Sequence, residues 1–241
     1  MSRFAQNANA RGCTIQEAKT GEVAAEATKV ALYCQIPPIN RLDNTLNSLV
    51  NCEWLALSTN AIDRLIPLNG WFRAPALCDL RGLNIPERSG MKNLKILSVG
   101  RNQLKRIEKL DDVADTLEQL WISYNQIQSL DGLQGLNQLT TLYLSNNNVK
   151  NWSELDKLAG LPNLKDILLV GNPIYEGFTT EECRIKVLQH LPTLTKIDGD
   201  LVRAFGKLWT WSNRLTVALA HYQVKPRERE QAEAVDEEEK E

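Results

Sequence analysis

One short pattern recurs along this chain and limits the folds open to it more than any other feature. The pattern is LxxLxLxxNx[LIV], and it occurs five times in 241 residues, with Val or Ile in place of some leucines and Cys52 as the one soft match. The central apolar residue and the asparagine of each copy are Leu55 and Asn60, Leu97 and Asn102, Leu120 and Asn125, Leu142 and Asn147, and Ile167 and Asn172. Successive asparagines are 42, 23, 22 and 25 residues apart. A unit of about 22 residues is therefore regular everywhere except in the first gap.

This spacing is typical of leucine-rich repeats. Alternating apolar residues predict a short strand in each copy, and the asparagine then turns the chain where the strand ends. One unit cannot bury its leucines alone, but neighbours stacked in parallel bury a continuous core. We therefore predict an α/β fold. It is a leucine-rich-repeat solenoid with a parallel sheet on one face, turns and short helices on the other, and a cap at each end. The residues predicted to be buried at the structural turns are Asn60, Asn102, Asn125, Asn147 and Asn172.

The stretches outside the repeats suggest four regions. Residues 1–29 have a helical or irregular composition, and residues 30–199 form the repeat domain, which ends in a short helix over Glu181 to His190 and a cap. An insertion near 71–90 interrupts the repeat domain, because removing it would restore regular spacing. A second insertion follows at 200–223. The charged segment 224–241 is expected to be largely disordered, since six of its last nine residues are acidic.

Composition and motifs argue against several classes of function. The chain has 28 basic and 30 acidic residues, so its charge of -2 favours neither nucleic acid nor an anionic membrane. Its five cysteines form no CxxC pair, which indicates a reduced, intracellular protein without a metal site. The two histidines, His190 and His221, have no nucleophile motif around them, and no phosphate-binding glycine loop is present. We predict no enzyme activity, no cofactor, no membrane partner and no small-molecule substrate.

The strand residues that point away from the leucine core are the candidate binding residues. One outward row contains Ala56, Ser98, Trp121, Tyr143 and Leu168, and a parallel row contains Trp54, Ile96, Gln119, Thr141 and Asp166. Large apolar patches mark interaction sites, and Trp and Tyr are enriched among interface anchors. The predicted partner-binding residues are Trp54, Ile96, Trp121, Tyr143 and Leu168. The alternative is that these are ordinary surface side chains, or that a loop or the N-terminal segment covers them.

A group of basic residues follows the second full strand of the repeat. It consists of Arg101, Lys105, Arg106 and Lys109. Such a group either faces an acidic partner or is a solvated edge of the domain, and both interpretations stay open at this stage.

Several stretches are more distinctive than the generic repeat. They are Cys34 to Ile39, Ala56 to Asn60, Leu120 to Asn125, Asn151-Trp152 and Gly171 to Tyr175. With these stretches the chain resembles the leucine-rich-repeat light chains of axonemal outer-arm dynein, over roughly residues 14–70 and 91–199. The resemblance implies a non-catalytic accessory subunit that binds a dynein heavy chain near its microtubule-binding region and tunes ciliary or flagellar motility. It also implies localisation in the cytoplasm, the cytoskeleton and the axoneme, close to tubulin.

The two insertions depart from this family, and each is either a loop on the edge of the solenoid or retained intron sequence. Arg227 to Ala232 again resembles the family's C-terminal segment. The resemblance therefore adds Arg229 to Arg101, Lys105 and Arg106 as residues that could face tubulin.

Two other functions are compatible with the repeat. Proteins with 22-residue repeats and this cap include regulatory subunits of enzymes such as protein phosphatase 1, which is the main alternative. An RNA-bound scaffold is the other, and the neutral charge and the absence of a basic sheet face argue against it.

Overall fold

The computed structural model describes residues 26–68 and 90–202, apart from the side chains of residues 44 and 45. The predicted helical segment before residue 26, nearly all of the first insertion, and residues 203–241 with His221 and Arg229 lie outside the described residues. The chain forms two compact units, residues 1–200 and 201–241. Only Leu201 and Val202 of the second unit are described.

A parallel sheet runs the length of the repeat domain. Its strands are β1 (Lys29–Ala31), β2 (Trp54–Ala56), β3 (Ile96–Ser98), β4 (Gln119–Trp121), β5 (Thr141–Tyr143), β6 (Asp166–Leu168), β7 (Lys196–Ile197) and β8 (Asp200–Leu201). The strands are ordered as in the sequence, and β1 to β7 pair in parallel. The predicted solenoid fold is confirmed, with β2 to β6 centred on the predicted residues. The first described strand begins at Lys29.

The register of the sheet explains its core. Leu55 pairs with Leu97, Leu97 with Leu120, and Leu120 with Leu142. All four side chains are buried, as are the leucine-type residues two positions later in each repeat. Because side chains alternate along a strand, burying the central residue on the core side points its two neighbours to the opposite face. That opposite face is called the sheet face below.

The second layer consists of short helical turns that cover the back of the core. The 3-10 helices are Asn44–Ser48, Asp111–Val113, Trp152–Leu158 and Pro173–Tyr175. A single α-helix, α1 (Thr180–His190), is present in the described part of the chain, where the sequence predicted a helix over Glu181 to His190. Its start is fixed by a capping box. The Glu182 N–H donates to the Thr179 hydroxyl, and the Thr179 N–H donates to the Glu182 carboxylate.

Strands β2 and β3 are direct neighbours although the first long gap of the repeat separates them. Trp54 pairs with Ile96 in the sheet. The Met91 N–H donates to the Leu68 carbonyl at 3.0 Å, and the Met91 side chain is fully buried. The described residues on either side of the first insertion therefore meet inside the solenoid. No helix within residues 26–68 and 90–202 is long and apolar enough to cross a membrane.

Candidate partner-binding face

The five repeat asparagines form a hydrogen-bonded ladder at the ends of the strands. Asn147 is representative: its Nδ2 donates to the carbonyls of Ile122 and Leu144 at 3.0 and 2.9 Å. Its Oδ1 accepts from the Ile127 N–H at 3.1 Å. The same three contacts recur at Asn60, Asn102, Asn125 and Asn172. Each asparagine therefore connects its own repeat to the one before it. Asn60 is half-buried and the other four are buried.

The ladder sets the direction of the residue that precedes each asparagine. Thr59, Arg101, Tyr124 and Asn146 have φ values from 53° to 58°, a left-handed conformation that is uncommon outside glycine. Gly171 holds the equivalent position with φ of 80°, and a Cβ there would lie 2.4 Å from the Asn146 Oδ1. The turn directs Arg101 and Tyr124 outward, and both are exposed.

The sheet face carries the five predicted partner-binding residues, and the structure places them in two groups. Trp54 and Ile96 pair in one row. Trp121, Tyr143 and Leu168 occupy successive strands in the other row. All five side chains are half-buried rather than fully exposed. These five residues thus form an apolar strip along β2 to β6 that retains some access to solvent.

The Trp121–Tyr143 pair is the centre of this strip. The two rings stack with their centroids 6.0 Å apart and their planes 18° from parallel. Such pairs stabilise by about 0.5–1.5 kcal/mol beyond the burial of their area. The pair is therefore a rigid aromatic platform on the sheet, which is the kind of surface that anchors protein interfaces.

A polar relay holds Tyr143 from the C-terminal side. The Tyr143 hydroxyl donates to Asp166 Oδ2 at 3.2 Å, and the Lys196 ammonium donates to the same oxygen at 3.0 Å. Burial raises the pKa of the Tyr143 phenol, and the neighbouring Asp166 carboxylate raises it further. The hydrogen bond to Asp166 also raises the pKa of Lys196. At neutral pH the relay is therefore a neutral phenol beside a paired carboxylate and ammonium.

Three small residues expected to face solvent are buried, which corrects the sequence-based description of this face. Ala56 and Ser98 are only 4% and 8% exposed. Ser145, which a simple alternation would leave open to water, is 4% exposed and donates to the Ser123 hydroxyl at 2.9 Å. Ser98 similarly bonds to Ser58 at 2.7 Å. Short side chains on closely spaced strands lie below their larger neighbours, so an outward position does not guarantee exposure.

The edge of the sheet that follows strands β2 to β5 is basic. We call residues 58–64, 100–106, 123–129 and 146–150 the C-terminal rim. Its charged residues are Arg64, Arg101, Lys105, Arg106, Lys150 and Asp63, all of them exposed. The Arg101 guanidinium lies 4.5 Å above the centre of the Tyr124 ring. Among the described residues, none of the five basic rim side chains forms a salt bridge.

Two features of this face were missed from the sequence. Lys196 belongs to the cap, and aligning Leu194 and Ile197 with the earlier repeats would have placed it next to Asp166. The exposed Tyr124 and its contact with Arg101 depend on the left-handed turn, for which the residue types give no signal. The predicted tubulin-facing residues Arg101, Lys105 and Arg106 share the C-terminal rim, whereas Arg229 lies outside the described residues.

His190 packs against its neighbours in the cap and has a structural role. Its Nδ1 lies 2.5 Å from Asp156 Oδ1, and its ring stacks on Trp152 with centroids 6.4 Å apart. Tyr175 and Phe178 also contact Trp152, so this aromatic cluster attaches α1 to the 3-10 helix Trp152–Leu158. No group of His, Cys, Asp and Glu side chains that could hold a metal ion occurs in the part of the chain that the structure describes.

Comparison with known proteins identifies the family to which the chain belongs. A family model described as "Leucine Rich repeats (2 copies)" matches residues 115–157. The chain is 49% identical over 189 residues to dynein axonemal light chain 1 of Chlamydomonas reinhardtii, covering 77% of this chain and 85% of that protein. The chain belongs to the axonemal dynein light chain 1 family. The same light chains of Danio rerio and Homo sapiens are 46% and 44% identical to it, covering 80% and 79% of this chain and 94% and 93% of those proteins.

Membership of the axonemal dynein light chain 1 family confirms the resemblance found in the sequence. It also confirms the predicted localisation in the axonemal cytoskeleton of a cilium or flagellum. Light chains with this repeat fold are a non-catalytic kind of protein. A leucine-rich-repeat protein of Leptospira interrogans, with a TM-score of 0.50 and 19% identity over 71% of this chain and 37% of its own, shares the fold alone.

Proposed function

We propose that this chain is an accessory light chain of axonemal outer-arm dynein and binds a dynein heavy chain near its microtubule-binding region through the sheet face. The observation that carries the proposal is the Trp121–Tyr143 stack, half-buried at the centre of the apolar strip. A solenoid face exposed only to water would have little reason to carry stacked aromatic rings. Binding there tunes how the motor engages the microtubule, and hence ciliary or flagellar motility.

Direct binding tests this proposal. A recombinant microtubule-binding region of an outer-arm heavy chain, titrated with the full-length light chain, is expected to give saturable binding at a single site. A matched titration with the catalytic subunit of protein phosphatase 1 should give none. Binding to the phosphatase and not to the heavy chain would contradict the proposal and favour the alternative of an enzyme regulator.

We further propose that the C-terminal rim faces the acidic surface of tubulin when the light chain is on the motor. Five exposed basic side chains against one acidic residue give the rim a positive field although the whole chain has a charge of -2. A group of like charges without carboxylate partners inside the described domain is suited to an acidic surface outside it.

Neutralising the rim tests this second contact. Replacing Arg101, Lys105 and Arg106 together by Gln should weaken cosedimentation of the light chain–heavy chain complex with microtubules by about tenfold, since each exposed pair contributes up to about 1 kcal/mol. The control replaces Lys92, Lys95 and Lys165, which are exposed and precede strands at the opposite edge, and of which Lys95 is paired with Glu53. Equal losses for the two triple variants would show that only total charge matters. Unchanged cosedimentation would remove the rim from the microtubule contact.

A further inference from the structure

Trp121 carries a buried donor that nothing in the described structure satisfies. Its Nε1 is screened from water and has no acceptor, although the ring itself is half-buried. Buried donors are nearly always paired, because losing the bond to water without a replacement destabilises the folded chain. Two polar pairs nearby on the sheet face are already hydrogen-bonded within themselves: Tyr143 with Asp166, and Ser123 with Ser145. In the free chain this N–H therefore makes no hydrogen bond, either to water or to a described protein atom.

An unpaired donor at the centre of an apolar strip has a use if a partner supplies the acceptor. We infer that the Trp121 indole N–H is the specificity-determining donor of the sheet face, and that the docked heavy-chain segment brings a neutral carbonyl oxygen to it. This inference rests on the proposed function and specifies its chemistry. Apolar area alone would accept many apolar segments, whereas a donor that is unpaired in the free chain gains a hydrogen bond only from a partner that brings an acceptor to it.

The charges of the face select a neutral acceptor. The outward residues of β3, β4 and β5 are all uncharged: Ile96, Ser98, Gln119, Trp121, Thr141 and Tyr143. Toward the C-terminal end the next charged residues on these rows, Asp166 and Lys196, lie on β6 and β7 and are paired with each other, and toward the N-terminal end the next is Lys29 on β1. A carboxylate desolvated over Trp121 would have no cation among the outward residues of β3, β4 and β5 to pair with, which is unfavourable. A carbonyl oxygen accepts the N–H without carrying a charge into the interface.

The stack permits the movement that this bond needs. The Cβ–Cγ bond of tryptophan lies in the plane of the indole, so a half-turn about it preserves the ring plane and exchanges the two edges. The torsion at this bond is broad, because it joins a tetrahedral to a planar carbon. A half-turn of Trp121 would therefore keep the indole parallel to Tyr143 and move its N–H away from the buried edge, which is the orientation that the inference assigns to the bound state.

Replacing the indole N–H by sulfur tests the inference. Benzothienylalanine at position 121 keeps the shape of tryptophan and lacks the donor, and the same replacement at Trp152, in the cluster with Tyr175 and His190, is the control. With the full-length chain and the heavy-chain microtubule-binding region, the replacement at 121 should weaken binding by about tenfold, the value of one hydrogen bond. The control should bind like the parent. On binding, the indole N–H proton of Trp121 should shift downfield.

The free chain provides a second readout. Because the donor is unpaired there, the replacement at 121 should leave the melting temperature unchanged or raise it. A lower melting temperature would show that the N–H is already bonded in the free chain and would overturn the inference. So would heavy-chain binding as tight as that of the parent. If the parent itself failed to bind the heavy chain, the proposed function would be contradicted, and this assignment of its partner with it.

Discussion

Replacing Asn147 by Ala is expected to lower the free energy of unfolding by about 2–3 kcal/mol, because it leaves a buried backbone donor without an acceptor. The Ile127 N–H loses its acceptor, the Asn147 Oδ1. The carbonyls of Ile122 and Leu144 each lose one of their two side-chain donors. Asn147 is 4% exposed, so water cannot replace these bonds without opening the turn. Denaturant unfolding followed by circular dichroism measures the change.

The neighbouring residue provides a matched control. Asn148 is exposed, lies in the same turn, and has the same side chain. Replacing it by Ala should change the free energy of unfolding by less than about 0.5 kcal/mol, as is usual for surface substitutions. Losses of similar size at both positions would mean that the asparagine ladder does not hold the repeats together, and that the loss at Asn147 comes from general weakening of the turn.

The repeat architecture could be predicted from the sequence because each repeat has the same pattern of apolar residues and asparagine. Alternation around Leu55, Leu97 and Leu120 fixes which side of the strand is buried, and the asparagine spacing fixes where the strand ends. Every copy supports the others, so one soft match such as Cys52 does not disturb the assignment. The strands consequently lie where the pattern predicts them.

The details of the sheet face depend on neighbours in space, which the repeat pattern does not describe. The alternation correctly turned Ser98 and Ser145 away from the core, but it could not show that adjacent side chains would cover them. The relay from Lys196 through Asp166 to Tyr143 joins the cap to two repeats, across 53 residues of sequence. The role of Trp54, Ile96, Trp121, Tyr143 and Leu168 in binding stays a prediction.

The second large effect is expected at the aromatic stack. Truncating Trp121 or Tyr143 to Ala should weaken heavy-chain binding by at least about tenfold, because central aromatic anchors typically contribute about 2 kcal/mol or more. The two losses should not add, since removing either ring also removes the stack that orients the other. Both variants should stay folded, because the leucine core behind the sheet is unaltered and fully buried.

Tyr124 is the appropriate control for both substitutions. It is an aromatic residue of the same repeat as Trp121, it is 48% exposed, and it lies on the C-terminal rim rather than on the sheet face. Tyr124→Ala therefore removes an aromatic side chain without touching the Trp121–Tyr143 stack. It should bind the heavy chain as tightly as the parent does.

The most direct test is the equilibrium affinity of the heavy-chain microtubule-binding region for four folded proteins: the parent, Trp121→Ala, Tyr143→Ala and Tyr124→Ala. Binding through the sheet face predicts at least about tenfold weaker affinity for the two stack variants and parental affinity for the third. Parental affinity in both Trp121→Ala and Tyr143→Ala would contradict it and would locate the heavy-chain contact elsewhere on the solenoid.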